Sequence, residues 1–149
     1  MTIDRFDGTK YRFLSNFWPS EVVYDGEVYP TVEHAYQAAK TLDVNARRAI
    51  REASTPGKAK RLGQKVVYRE NWENLKYTVM EELLKQKFKW SDSGCELGNL
   101  LEETGDQELI EGNTWGDVYW GVCDGKGQNN LGKILMDIRS DLHQQSEDW

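Results

Sequence analysis

Cysteine and histidine are scarce in this chain, with two of each among 149 residues. Cys95 and Cys123 are too few for a disulfide scaffold, so both thiols are expected to be reduced. The two cysteines and two histidines form no C-x-x-C, no H-E-x-x-H and no other strong ligand spacing, which predicts no structural or catalytic metal. Nothing in the pattern calls for a cofactor. No window approaches the length of a membrane span. The opening Met1-Thr-Ile-Asp-Arg5 has no apolar run, so no secretory signal is expected and a cytoplasmic location is the default. Internal repeats and low-complexity linkers are also missing, and 149 residues read most economically as one domain over residues 1–149.

Aromatics are plentiful, with six Trp, seven Tyr and four Phe, and they exclude wholesale disorder. The net charge of −6 is unevenly spread. From Lys40 to Lys89 there are 13 Lys and Arg against 6 Asp and Glu, while the remainder has 6 against 19. The basic region is either a set of solvated helix faces or a positive rim that attracts a phosphorylated ligand. The acidic balance of the whole chain argues against tight nonspecific binding to long nucleic acid, and leaves room for brief contact with a modified base at a strand end or loop.

Local signals outline about six helices and a few short strands. Extended pieces are expected at Tyr11–Leu14, Val22–Tyr24 and Glu27–Tyr29, the last two joined by a turn at Asp25-Gly26. In Tyr29-Pro-Thr-Val-Glu-His-Ala-Tyr-Gln-Ala-Ala-Lys40, Thr31 is a suitable N-cap. Ala35, Ala38, Ala39 and Leu42 then share one helical face. Glu33, Gln37 and Lys40 share the opposite face. That face is either solvated or the lining of a cleft covered by another part of the chain, and periodicity cannot choose. A second helix is marked by Ala46, Ala49, Ile50 and Ala53. A third opens at Thr55-Pro56, with Ala59, Leu62 and Val66 inward. A longer one follows Asn71, from about Trp72 to Phe88. A short helix at Leu97–Leu101 stops near Gly105. Leu109–Glu111 and Val118–Val122 suit strands, and the last helix is expected from Asn129 to His143, before a frayed tail at 144–149.

Three segments offer chemistry. Ser15 and Asn16, between large apolar neighbours, either pin a turn or present polar groups to a pocket. Gly127-Gln-Asn-Asn-Leu-Gly132-Lys133 matches G-x-x-x-x-G-K. Ile134 stands where the magnesium-binding hydroxyl belongs, so a nucleotide triphosphatase is rejected. A weaker reading remains, in which free amides at the start of a helix suit a phosphate. In Trp115-Gly-Asp117-Val-Tyr-Trp120-Gly121 a carboxylate lies between aromatics, a plausible wall for a ribose, or simply a turn beside core tryptophans. Burial there would raise the pKa of Asp117. For His34 a structural role is expected, and His143 is assigned none.

Taken together, Phe13-Leu-Ser-Asn-Phe17, Pro19, Tyr29-Pro-Thr31, Glu33-His-Ala-Tyr-Gln37 and Lys40 resemble the opening of the YbiA-like or NADAR family. Lys87-Phe88, Leu100-Leu101, Thr104-Gly105, Glu111, Asp117, Trp120-Gly121, Gly127, Asn129, Leu131-Gly132, Leu135-Met136 and Arg139 continue the match in order. Val122-Cys123 departs from it, standing where many members have a second glycine. The resemblance implies an α+β, helix-rich fold and cleavage of an N-glycosidic bond to ribose. The implied substrates are ADP-ribose on guanine, free or in nucleic acid, and the phosphoribosylamino-pyrimidine intermediates of riboflavin synthesis. A silent module that binds ADP-ribose or an NAD derivative is the remaining alternative. The resemblance also implies Lys40 as a Schiff-base nucleophile, which has to be neutral to attack. Glu33 lies about 10 Å away along the helix axis and is an acid/base candidate, as is Asp117. Trp120 and Gly121 would wall the ribose, Asn129 and Gly132 would hold phosphate, and Ser15, Asn16 and Gln37 would touch substrate.

Overall fold

The computed structural model describes residues 1–8, 10–89 and 96–147. In chain order its elements are strand β1 (Thr2–Ile3), a 3-10 turn (Arg12–Leu14), strands β2 (Val22–Tyr24) and β3 (Glu27–Tyr29), and helices α1 (Val32–Ala39), α2 (Val44–Arg51), α3 (Pro56–Gly63), α4 (Trp72–Lys87) and α5 (Leu97–Glu103). Strands β4 (Glu108–Leu109), β5 (Gly112–Asn113) and β6 (Val122–Cys123) and helix α6 (Asn130–Glu147) complete it. Among the described residues this is the expected α+β fold, with six helices and three two-stranded ladders. The chain forms two compact units, Asn16–Lys87 and Met1–Ser15 with Phe88–Trp149.

The unit Asn16–Lys87 is organised around α1, which packs on α2, α3, α4 and the β2–β3 hairpin. Thr31 caps α1, its hydroxyl accepting the His34 amide at 3.0 Å. The Asn16 carbonyl accepts a second first-turn amide, from Glu33, at 3.1 Å. The hairpin turns at Asp25 and Gly26, both at positive φ (48° and 80°), as a two-residue turn of matching twist requires. Asp43 and Thr55 cap α2 and α3, and Pro56 opens α3 as expected. Helix α4 is held on β2 by Gln86, whose side chain accepts the Val23 amide and donates to the Val23 carbonyl. It is held on α1 by Tyr36 and Trp72, with ring centroids 5.4 Å apart.

Two expectations for this unit fail. Leu42 is exposed rather than inward, because α1 ends before the helical wheel reaches it. On α3 Leu62 is also exposed, Val66 lies beyond the helix end, and Gly63 is the buried residue beside Ala59. The reason is a close approach to α1. A Cβ on Gly63 would lie 1.9 Å from Gln37 Oε1, so only glycine fits.

In the other unit β1 pairs in parallel with β4, a ladder that the sequence pattern did not suggest. Helix α6 buries Leu131, Ile134, Leu135, Ile138 and Leu142, the stripe of an amphipathic helix, against α5 and β4. Arg139 donates to the Thr104 hydroxyl at 2.9 Å, which donates in turn to the Leu101 carbonyl at 2.6 Å. The expected extended piece at Tyr11–Leu14 is instead a 3-10 turn. Phe13 and Leu14 are both buried, which neighbours on a strand with one covered face cannot be. The expected strand Leu109–Glu111 is displaced to Glu108–Leu109. Of Val118–Val122 only Val122 is extended, because Asp117 bends the chain before it. Helix α6 continues to Glu147, where a frayed tail was expected from 144, and His143 pairs with Glu147 one turn on, at 3.1 Å. Cys95, Asp148 and Trp149 lie outside the described residues.

Candidate active site

Every residue of α1 is buried, and the polar face of the helix is no exception. Glu33, Gln37 and Lys40 have relative exposures of 8, 3 and 9%. The solvated reading of that face is therefore wrong. Gln37 Nε2 donates to the Glu33 carboxylate at 2.6 Å, one turn along the helix. Gln37 Oε1 has no hydrogen-bond partner and packs over Gly63, which fixes which end of the amide points at Glu33. Asn16 Nδ2 reaches Met80 Sδ at 3.5 Å, while its Oδ1 is buried with no hydrogen-bond partner. An acceptor left unpaired in this way costs stability unless a ligand supplies the donor.

Lys40 closes α1 as its C-cap. Its ammonium lies 5.6 Å from the Tyr36 ring centroid and 5.4 Å from that of Tyr68. Burial lowers the Lys40 pKa. The Glu33 carboxylate opposes that shift, and Lys60 and Lys76 add to it. A helix C-terminus normally favours a cation through its free carbonyls. Here those carbonyls are occupied: Arg47 Nε donates to Ala38 O at 3.1 Å and Thr41 O at 2.7 Å, and the Arg69 amide donates to Lys40 O at 2.7 Å. The chain thus spends guanidinium and amide donors on the pole that would otherwise hold Lys40 protonated.

His34 is structural, as expected. Thr31 Oγ1 accepts the His34 amide and so donates to Nδ1 at 2.8 Å, which leaves Nε2–H to donate to Ala53 O at 3.0 Å. Both ring nitrogens are used.

In the other unit Asp117 organises a turn. Its Oδ1 accepts the amides of Tyr119 at 3.2 Å and Trp120 at 2.9 Å, and its own amide and carbonyl bond the Asn113 side chain. Trp120 stands edge-on to Tyr119, with centroids 4.7 Å apart. The free amides expected at Gly127–Gly132 are not free. Those of Gln128, Asn129, Asn130 and Leu131 donate to the carbonyls of Val118, Gly121, Tyr119 and Trp120. Asn129 Oδ1 accepts the Glu111 amide and its Nδ2 donates to Leu109 O, both at 2.9 Å. Gly132 lets α6 approach β4, since a Cβ there would lie 2.1 Å from Leu109 O. Ser15, half-buried, follows the 3-10 turn, its amide bonded to Arg12 O at 2.9 Å.

The sequence-predicted site residues accordingly fall into two sets. Asn16, Glu33, Gln37 and Lys40 belong to the unit built on α1, and Ser15, Asp117, Trp120, Gly121, Asn129 and Gly132 to the other. Residues 5–143 match the model of the NADAR domain. The chain belongs to the NADAR family. NADAR relatives include the N-glycosidase YbiA of Escherichia coli K12, 42% identical over 148 residues that cover 95% of this chain and 89% of YbiA. An N-glycosidase of Nostoc punctiforme is 34% identical, over 89% of this chain and 86% of that protein. A riboflavin biosynthesis protein of Vibrio vulnificus is 35% identical over 89% of this chain, a match that takes up 36% of that protein. The NMR structure of E. coli YbiA superposes with a TM-score of 0.81 and 36% identity, covering 100% of this chain and 88% of that one.

Around Lys40 the sequence reading missed Tyr68, Lys60, Lys76, Arg47 and Gly63. Of these, Lys60, Lys76 and Arg47 left a trace, as part of the basic excess between Lys40 and Lys89.

Proposed function

We infer that the chain is an N-glycosidase, a hydrolase of N-glycosyl bonds, and we propose that Lys40 is its nucleophile. The observation that carries this is a buried amine, held between two tyrosine rings, whose pKa burial lowers beside a carboxylate on the same helix face. A neutral amine attacks carbon, whereas an ammonium does not, and burial shifts Lys40 toward the neutral form. Nζ adds to C1 of the ribose while the C1–N bond to the base breaks. The proton lost from Nζ passes to Glu33 and from it to the leaving nitrogen. Ring opening leaves a Schiff base, to which water adds at C1 and from which Lys40 departs. The balance is one water consumed, with the sugar and the protonated base released. Gln37 holds Glu33 in place, and Asn16 Oδ1 takes a hydrogen bond from a ribose hydroxyl. We assign Asp117 to loop geometry rather than proton transfer.

The preferred substrate is ADP-ribose on guanine, because the basic excess between Lys40 and Lys89 suits a diphosphate or a nucleic acid. The second reading, a phosphoribosylamino-pyrimidine of riboflavin synthesis, is favoured by the relative named for that pathway. A cytoplasmic location and a single domain over residues 1–149 go with both.

The test is borohydride trapping on a short DNA that carries ADP-ribosylated guanine, read by mass spectrometry. An ADP-ribose adduct on wild type that is lost in Lys40→Ala supports substrate and mechanism together. Product without adduct overturns the covalent role of Lys40. Neither product nor adduct overturns this substrate and moves the test to the riboflavin intermediate, where failure leaves a binding module.

A further inference from the structure

We propose that a basic cleft on α3 holds the phosphodiester backbone of a nucleic-acid strand, an inference that rests on the reading of ADP-ribosylated guanine as substrate. The cleft has a volume of about 420 Å³ and is lined by Ala53, Lys58, Arg61, Leu62, Gln64 and Lys65. Lys58 and Arg61 lie at i, i+3 on one face of α3, and Lys65 follows in the turn after the helix. Among the described residues no carboxylate forms an ion pair with any of the three. Lys58 is steadied by Ser54, to whose hydroxyl its ammonium donates at 2.9 Å. The cations are therefore available and the nearest of them is oriented.

The spacing favours a strand over a single phosphate. Lys58 and Arg61 stand about 4.5 Å apart along the helix axis, and Lys65 adds a third cation beyond the helix end. Three cations lining one cleft suit successive phosphates of a strand better than a single phosphate. Leu62, exposed between the cations, offers apolar surface to a sugar or base. The cleft is also tied to the candidate active site, since Ala53 in its wall accepts the His34 Nε2–H of α1 at 3.0 Å. Lys60, which acts on Lys40, is not part of the cleft lining.

The experiment compares wild type with the triple variant Lys58→Gln, Arg61→Gln, Lys65→Gln on two substrates: ADP-ribosylated guanine in a nine-nucleotide DNA, and the same modified nucleoside free. The expected result is a lower KM for the DNA than for the free nucleoside in wild type. The triple variant abolishes that difference and leaves kcat on the free nucleoside unchanged. A wild type with no KM difference, or a difference that survives in the variant, overturns the cleft. If wild type releases nothing from either substrate, the activity reading falls and the cleft is judged by binding alone, through fluorescence anisotropy of an unmodified nine-nucleotide DNA. Three phosphate contacts on a single strand steepen the logarithmic salt slope by about 2. Raising salt from about 50 to 200 mM then weakens wild type about twenty-fold more than the variant. Equal slopes overturn the cleft, and a Lys58→Arg, Lys65→Arg variant keeps the wild-type slope if charge is the cause.

Discussion

Lys87 gives a prediction independent of catalysis. Its side chain ends α4 at 3% exposure, and burial pushes its pKa down to about 7 from an ordinary 10.5. The folded chain therefore releases the proton near pH 7, and the unfolded chain holds it until about pH 10.5. Between those values the unfolded state binds one more proton, so stability rises with pH, by up to about 1.4 kcal/mol per pH unit. Below pH 7 both states are protonated and the full cost of burying the charge is present. From about pH 7.5 to 9.5 the gain comes to roughly 2 kcal/mol. Lys87→Met removes this contribution without a large change in volume, so urea unfolding at the two pH values isolates it as the difference between wild-type and variant pH dependences. The absolute stability of the variant is not the readout, because the wild-type side chain has contacts of its own. Parallel pH dependences, within about 0.5 kcal/mol, would refute the argument and mean that Lys87 stays charged when folded.

Activity should fall as pH drops below the lowered pKa of Lys40, since only the neutral amine attacks, and Lys40→Ala should cost about a thousand-fold or more in kcat. Glu33→Gln should lower kcat by about 10²–10⁴-fold, the usual worth of a positioned acid–base group, with little change in KM. Gly63→Ala forces a methyl into Gln37 and should destabilise by about 1–3 kcal/mol. Paired with Gln37→Ala the loss should be less than additive in thermal unfolding, because the clash has gone. Asn129→Ala removes hydrogen bonds to Glu111 and Leu109 and should cost about 1–3 kcal/mol of stability. The KM for a phosphorylated substrate should stay unchanged, and a rise would restore Asn129 as a phosphate ligand.

What could be read in advance was local. The Thr31 cap, the Asp25-Gly26 turn, Pro56 at the start of α3 and the stop at Gly105 each depend on the residues next to them, and each stands as expected. The polar face of α1 was a different matter, because a period shows which side chains share a face and not what covers it. Gly127–Lys133 misled for a similar reason. Its amides looked available until the chain at Val118–Gly121 returned to bond them, a pairing that no local pattern encodes. The burial of Lys87 was not anticipated, because a lysine at the end of an amphipathic helix ordinarily reads as solvated. The close approach of α3 to Gln37 required the tertiary arrangement itself.

The inward burial of all eight residues of α1 has a consequence for how such a protein changes over time. An ordinary surface helix has a water-facing side on which substitutions accumulate at little cost. This helix has none, so Ala35, Ala38 and Ala39 on one side and Glu33 and Gln37 on the other are constrained together. A change that adjusts the chemistry also disturbs the packing. New substrate preference is then more readily acquired at exposed positions that border the helix, such as Leu42 and Tyr68, than on the helix itself. The candidate site and the scaffold share one helix here, and variation is left to its margins.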